Sequence, residues 1–542
     1  MHPSKHCNRI HTVIKKAIRV SALVLVCAAV PAMAQTPTQT PTPGPDECAA
    51  LRNLQLPGVA LSEVSAEWTP AGPAPSPFAP APATIALPAY CRVQGTLNRR
   101  KGADGQAYGI GFALALPSAW NGRFVFQGGG GFNGVLASPL GVTGAGDTPA
   151  LVRGFAVVST DSGHRSPGGN ALDTAFMADQ QASMDFAYQA VDRVTTVAKA
   201  IIARHYAQPI SRSYYTGCST GGREAMLAAQ RYPLEFDGVV AGAPNMRAYY
   251  AVLGVDWVNV QLNQVAPRGA NGQPATREAL SSTQKQTVIE GIRTACDAND
   301  GARDGLVFNT TACKFDPKTL VCGGKNSGAG CLTAAQAAAL ERAFAGPPLK
   351  DGRQIYSSFP FDTGIADGAQ AFIPGLLYGG FNGSSVSMTD ADAAVRWADG
   401  NAPSAVTDTF TWTNMTTFAN RGGKMILFHG MSDPTFSALD TVDYYSRLTA
   451  ANGGAEAVQR WSRLFLVPGM GHCGGGSLTT DSFDLLTALV NWVERDVPPD
   501  AVVATRRVEP RITRPLCPYP RYARYSGRGD QNDAASFTCQ AP

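Results

Sequence analysis

Two short stretches carry residue types suited to nucleophilic chemistry. Gly217-Cys218-Ser219-Thr220-Gly221 has the form G-x-S-x-G and stands between an apolar run and the helical pattern Arg223 to Gln230. A serine on such a strand-to-helix turn is lifted off the backbone, and the N–H of the next residue, Thr220, faces the carbon under attack. The motif is common, so a glycine-rich turn with an ordinary serine is the competing explanation. Far down the chain, Gly469-Met470-Gly471-His472-Cys473 follows another apolar run. A serine nucleophile needs an imidazole within hydrogen-bond reach, about 3 Å. Cys218 precedes Ser219 and Cys473 follows His472, so if serine and histidine meet, the two sulfurs become neighbours. Their Cα atoms then fall in the range of a disulfide, roughly 4.4–6.8 Å, which pins base to nucleophile.

A third group is needed to orient the imidazole. The loop after the strand preceding that of His472 reads His429-Gly430-Met431-Ser432-Asp433-Pro434, and a carboxylate at Asp433 would hold the His472 tautomer and stabilise the imidazolium. Asp443 is a rival, but it falls inside the next helical pattern. His205 lies in a helical pattern and His429 ends a strand, so both read as structural histidines. The order Ser219, Asp433, His472 is that of α/β-hydrolases.

The elements that must position these residues alternate between strand and helix. Arg123 to Gln127, Gly154 to Ser159, Ser213 to Thr216, Gly238 to Ala241, Lys424 to Phe428 and Arg463 to Val467 read as buried strands. Helical patterns run over about Ser183–Tyr206, Ala438–Ala450 and Ser482–Arg495. Such alternation predicts a mainly parallel sheet covered on both faces, with the ligand beyond the carboxyl ends of the strands. The first of these strands runs into Gly128-Gly129-Gly130-Gly131, where a backbone N–H can approach a ligand closely enough to be the second donor of an oxyanion hole. Between about Asn245 and Asn420 the alternation is lost. The predicted organisation is an α/β-hydrolase core at 47–244 and 421–542 with a large inserted lid at 245–420. The lid is rich in aromatics, among them Tyr249, Tyr250, Tyr356, Phe359, Phe372, Tyr378, Phe381, Trp397 and Trp412, which form either its own small core or a substrate contact.

Residues 1–34 read as a secretory signal peptide: Lys15, Lys16 and Arg19 precede the apolar run Val20 to Val30, and Ala32-Met33-Ala34 is a cleavage site. Residues 35–46 are a Thr/Pro-rich leader expected to be disordered. The signal holds five of the 45 basic residues and none of the 41 acidic ones, leaving 40 basic against 41 acidic. That balance gives no support for a nucleic-acid partner or an anionic membrane surface, and no membrane anchor is expected. Nothing in the sequence bears on oligomeric state. Cys7 and Cys27 leave with the signal, and an even set remains in a chain addressed to an oxidising, secreted or periplasmic compartment. Proximity suggests Cys48–Cys91, Cys296–Cys313, Cys322–Cys331 and Cys517–Cys539 beside Cys218–Cys473. One further cluster, Asp297 to Leu306, concentrates carboxylates and glycines between two cysteines. Hard oxygens so spaced suit Ca²⁺, although the spacing is not that of an EF-hand and a solvated acidic turn is the alternative.

With these pieces in place the chain resembles the tannase and feruloyl esterase family, most densely at 217–224, 237–244, 421–433 and 465–473. The resemblance implies Ser219 as nucleophile, Asp433 as acid, His472 as base, and the N–H groups of Thr220 and Gly131 as the oxyanion hole. It implies the same five disulfides. It also implies a structural Ca²⁺ in the lid, held by the side chains of Asp297, Asp300 and Asp304 and the carbonyls of Ala302 and Leu306. The implied activity is hydrolysis of esters of aromatic carboxylic acids: a terephthalate monoester first, hydroxycinnamate or gallate esters as the alternative. From another class, an exported binding protein that has lost turnover on the same scaffold is the competing expectation. The lid between Phe381 and Arg421 is short where a free substrate carboxylate and ring must be gripped, and Arg396 and Trp397 are the replacements available there.

Overall fold

The computed structural model describes residues 43–74, 85–324, 327–366, 395, 396 and 398–542. The expected signal peptide, most of the expected leader and part of the expected lid, with Phe372, Tyr378, Phe381 and Trp397, lie outside these. Pro45 and Asp46, the last residues of the expected leader, already belong to a short helix, Pro45–Ala50.

Nine strands make one sheet: β1 (Leu61–Thr69), β2 (Tyr90–Lys101), β3 (Ala107–Pro117), β4 (Arg123–Gln127), β5 (Ala156–Thr160), β6 (Arg212–Cys218), β7 (Gly238–Gly242), β8 (Lys424–Gly430) and β9 (Ser462–Val467). Their spatial order is β1-β2-β3-β5-β4-β6-β7-β8-β9. The first three and β5 pair antiparallel, whereas β5, β4, β6, β7, β8 and β9 pair parallel. This is the α/β-hydrolase architecture. The sequence reading finds its first core strand at Arg123, and the structure adds β1, β2 and β3 ahead of it.

The inner strands read as unbroken apolar runs because both of their faces are buried. Alternate residues of one strand serve opposite cores: Phe124, Phe126, Tyr215 and Leu427 point to one face, and Val125, Tyr214, Ile426 and Phe428 to the other. The helices that matter for the site are α1 (Ala190–Tyr206), α2 (Thr220–Arg231), α3 (Ala248–Asn263), α4 (Ser282–Cys296), α5 (Ala334–Ala345), α6 (Ala438–Ala451) and α7 (Leu485–Arg495). The first two and α6 cover one face and α7 the other. The helix expected from Ser183 begins at Gln180 and passes through a π turn, Asp185–Gln189, before α1. The helix expected from Ser482 starts at Leu485, because Ser482 and Phe483 pair with Thr505 and Ala504 as a short strand.

Between β7 and β8 lie α3, α4 and α5. The last two open on capping boxes, Ser281 with Gln284 and Thr333 with Gln336, which satisfy otherwise unpaired N–H groups of the first turn. These helices share a core of their own, built on Val258, Leu262, Val288, Ile292, Leu340 and Phe344. Tyr356 and Phe359 belong to it, so these two lid aromatics are packing residues. Phe436, from the loop after β8, is also a member and ties the lid core to that loop. The five expected disulfides all form, Cys48–Cys91, Cys218–Cys473, Cys296–Cys313, Cys322–Cys331 and Cys517–Cys539. No described helix is long and apolar enough to cross a membrane.

Candidate active site

β4, β6, β7, β8 and β9 are consecutive parallel neighbours, so the loops leaving their carboxyl ends lie side by side. Those loops carry the glycine run, Ser219, Asn245, Asp433 and His472. Register fixes the alignment: Gln127 sits opposite Thr216, Cys218 opposite Gly242, and Gly430 opposite Val467.

Ser219 has φ 64° and ψ −124° between β6 and α2. A non-glycine residue held there costs roughly 1–3 kcal/mol and persists only where its surroundings over-determine it. Three backbone hydrogen bonds do so. The Ser219 N–H donates to the Gly242 carbonyl at 3.0 Å, and the Ser219 carbonyl accepts from Arg223 at 3.0 Å and Asn245 at 3.1 Å. Gly221 lets the turn press against the glycine run, since a Cβ there would stand 2.7 Å from the Gly129 carbonyl oxygen.

Asp433 is buried, at 4% exposure. Its Oδ1 accepts the N–H groups of Thr435 at 2.7 Å and Phe436 at 3.1 Å. Its Oδ2 lies 2.7 Å from Nδ1 of His472 and 3.2 Å from Nε2 of His429. Burial by itself would raise this carboxylate, but the two imidazoles more than offset it and hold Asp433 well below the usual carboxylate range. With Nδ1–H donated to Asp433, Nε2 of His472 is the lone pair left to act as a base. Phe436 meets the His472 ring edge-on at 5.2 Å.

The loops of Ser219 and His472 are tethered by the Cys218–Cys473 disulfide, with Cα atoms 5.9 Å apart. Among the described residues His472 bonds Asp433 and not Ser219.

His429 has a larger part than a strand-end histidine would. Its Nε2 faces two acceptors, Asp433 and the Phe436 carbonyl at 3.1 Å, and its Nδ1 lies 2.8 Å from Thr441 Oγ1. The geometry assigns the neutral Nε2–H tautomer, with Thr441 donating to Nδ1. His429 therefore supplies Asp433 with a second donor. Its spacing of four residues from Asp433 was the signal that could have found it.

Thr220 and Gly131 lie together: the Thr220 hydroxyl donates to the Gly131 carbonyl. Gly131 has φ 60°, and a Cβ there would collide with the Ala171 carbonyl oxygen at 2.4 Å. The N–H groups of both residues have no acceptor among the described residues.

Beside this site a cavity is walled by Phe132, Met177, Phe186, Tyr249 and Pro403, with Arg223, Asn245, Ser183 and Thr407 among its polar members. Arg223 is buried in the first turns of α2, and two of its N–H groups donate to the Ala187 carbonyl at 2.7 Å and the Phe186 carbonyl at 3.0 Å. Both carbonyls belong to the π turn, whose altered bonding frees them for an outside donor. Arg396, one expected carboxylate anchor, is exposed, and Trp397 lies outside the described residues.

At the acidic loop, Asp297 and Asp300 are buried. Asp297 accepts the Gly305 N–H at 2.9 Å, Asp300 those of Ala302 at 3.1 Å and Phe308 at 2.9 Å, and Asp304 that of Leu306 at 3.0 Å. Arg514 ion-pairs with Asp304. Burial, reinforced by Asp304 and Asp297, pushes Asp300 up to about 7. As placed, no three His, Cys, Asp or Glu side chains converge as a metal-holding group among the described residues. The donor set itself, three hard carboxylates beside Arg514 and Arg293, is of the chemistry that suits a divalent cation such as Ca²⁺.

The sequence profile of the tannase and feruloyl esterase family matches residues 91–377 and 378–540. The chain belongs to that family. Mono(2-hydroxyethyl) terephthalate hydrolase of Piscinibacter sakaiensis is 39% identical, over 91% of this chain and 92% of its own. Feruloyl esterase B of Aspergillus niger is 30% identical, over 78% and 82%. In three dimensions the feruloyl esterase B of Aspergillus oryzae superposes with a TM-score of 0.72 at 26% identity, covering 92% of this chain and all of that one. As a member of the tannase and feruloyl esterase family, the protein is a carboxylic ester hydrolase.

Proposed function

We propose that the protein is an exported serine esterase that cleaves esters of aromatic carboxylic acids through an acyl-enzyme. The observation that carries this is the Asp433–His472 pair delivered to the Ser219 loop by the Cys218–Cys473 tether. His472 Nε2 takes the Ser219 proton as Oγ attacks the ester carbonyl, then passes it to the departing alcohol. In free enzymes the serine–histidine bond is commonly long and tightens with substrate bound. The N–H groups of Thr220 and Gly131 receive the oxyanion. Water then repeats the sequence against the acyl-enzyme and releases the acid.

The aromatic side chains beside the site, Phe132, Phe186 and Tyr249, support an aromatic acyl group, although the space between them, about 20 Å³, must widen to take one. The likeness to the terephthalate monoester hydrolase favours that substrate. A second reading, hydroxycinnamate or gallate esters, is favoured by one observation: the buried cation of the cavity, Arg223, already donates from both of its terminal nitrogens to the Ala187 and Phe186 carbonyls. Ca²⁺, held by Asp297, Asp300 and Asp304 with the carbonyls of Ala302 and Leu306, would supply structural positive charge to the lid. The signal-like first 34 residues and the disulfides support export.

The test is labelling of the purified protein by a fluorophosphonate, followed by turnover of methyl ferulate, methyl gallate and mono(2-hydroxyethyl) terephthalate. Labelling and turnover that vanish in Ser219→Ala support the mechanism, and full turnover in that variant rules it out. The ratio of kcat/KM among the three esters selects the acid.

A further inference from the structure

Glu224 lies in the second turn of α2, five residues beyond Ser219, and is 1% exposed. Its carboxylate gathers four donors from three separate segments. Oε2 accepts the Gly129 N–H at 3.0 Å and the Tyr215 hydroxyl at 2.9 Å. Oε1 accepts the Asn133 side-chain amide at 2.9 Å and the Ser162 hydroxyl at 3.3 Å. A buried carboxylate is tolerated only when its lone pairs are so satisfied, and four donors are about what it can take.

The placement of two of those donors matters for the chemistry. Gly129 and Asn133 flank Gly130 and Gly131, so one side chain grips the glycine loop on both sides of the Gly131 N–H. That side chain is carried by the same helix whose first N–H, that of Thr220, is the other oxyanion donor. Gly130, between the two, meets nothing within 4 Å of a Cβ position, and a loop of glycines has little stiffness of its own. An oxyanion hole works only when its donors are already aimed before charge develops.

We propose that Glu224 is a positioning residue for ester hydrolysis: by holding Gly129 and Asn133 it fixes the Gly131 N–H relative to the Thr220 N–H, so that both face the developing oxyanion. This rests on Ser219 being the nucleophile. Glu224 takes no proton in the reaction, and its negative charge is spent on its four donors.

The test uses the whole protein, with kcat and KM measured for wild type, Glu224→Ala, Glu224→Gln and Asn133→Ala on one activated aromatic ester. An arylboronic acid serves as a mimic of the tetrahedral intermediate, and thermal unfolding establishes that each variant is folded. Loss of one aimed donor lowers kcat by about 100-fold, so Glu224→Ala is expected to lose on that order with KM changed less than about three-fold. The boronic acid should weaken by the same factor as kcat/KM. Glu224→Gln should recover most of the loss, because the buried Oδ1 of Asn133 has no partner and a turned amide can accept from the glutamine while Gly129 stays bound. Should Glu224→Ala fail to fold, Asn133→Ala releases only the far end of the loop and is expected to lower kcat about 10-fold at unchanged KM. A folded Glu224→Ala or Asn133→Ala with wild-type kcat, or a loss confined to KM, overturns the proposal. Full activity in Ser219→Ala would instead overturn the nucleophile assignment, so the two failures are told apart.

Discussion

Oδ2 of Asp362 accepts the Gly469 N–H at 2.7 Å, joining the segment between β7 and β8 to the loop that carries His472. The same oxygen accepts the Ser432 hydroxyl at 2.5 Å, and Ser432 precedes Asp433. One buried carboxylate from the segment between β7 and β8 thus holds the loops of Asp433 and His472 together. Next to it, the Thr363 hydroxyl donates to the Gly305 carbonyl at 2.7 Å, which extends the connection to the acidic loop. Removing a charged acceptor from two buried donors costs about 1.5–3 kcal/mol per bond. Asp362→Ala is therefore expected to lower the urea midpoint clearly and to reduce kcat about 10-fold or more, with KM little changed. Steady-state kinetics and equilibrium unfolding of the same preparation check both.

The Cys218–Cys473 bridge closes a loop of 255 residues, for which chain-entropy reasoning gives a stabilisation of about 5.5 kcal/mol as an upper figure. Its catalytic effect is separate, since it fixes the two loops that flank it. The double substitution to serine is expected to cut the rate of fluorophosphonate labelling more steeply than the Cys48–Cys91 double substitution does. Time courses of labelling at equal reagent concentration decide between them.

The proposed catalytic loops could be read because their chemistry is local: a G-x-S-x-G turn needs glycines within a few residues of the serine, and Gly221 is where backbone meets backbone. The Cys-Ser and His-Cys neighbours carried long-range information in two dipeptides. What stayed hidden depends on tertiary contact. Nothing near Asp362 announces that it will bond Ser432 and Gly469, and Glu224 is one more helical glutamate until the glycine loop folds against it. β2 and β3 were passed over for a different reason. One ends in the charged run Arg99-Arg100-Lys101, and the other intersperses its apolar residues with Gly and Ala, so neither has the β-branched signature that marks a strand, although β3 is buried almost throughout.

Divalent cation removal should destabilise the lid if Ca²⁺ sits at the acidic loop. Dialysis against a chelator is expected to lower the unfolding temperature by about 1–2 °C, which is what a loss of about 1–2 kcal/mol produces in a chain of this size, with recovery on adding Ca²⁺ and not Mg²⁺. Asp300→Asn should abolish that response while leaving the Cys296–Cys313 bridge intact. Differential scanning calorimetry with and without the metal reads it directly.

His164 predicts a specific acid sensitivity. Its ring stacks on Phe176 with centroids 3.6 Å apart, both ring nitrogens are buried without a partner among the described residues, and burial pushes it down to about 4. An unfolded histidine titrates near 6.5. Between those values the unfolded chain binds a proton that the folded one refuses, so this residue's contribution to stability falls as pH drops from about 6.5 to 4. At about 1.4 kcal/mol per unit the loss approaches roughly 3 kcal/mol. Asp161 works in the opposite direction: burial raises it to about 6, so protonation favours the folded state over much of the same interval. The wild-type profile alone therefore mixes the two, and the comparison that isolates His164 is with His164→Phe. Relative to that variant, wild type should lose about 3 kcal/mol of unfolding free energy between pH 7 and pH 4. Parallel urea titrations that keep a constant difference across this range would show that His164 does not titrate in the interval.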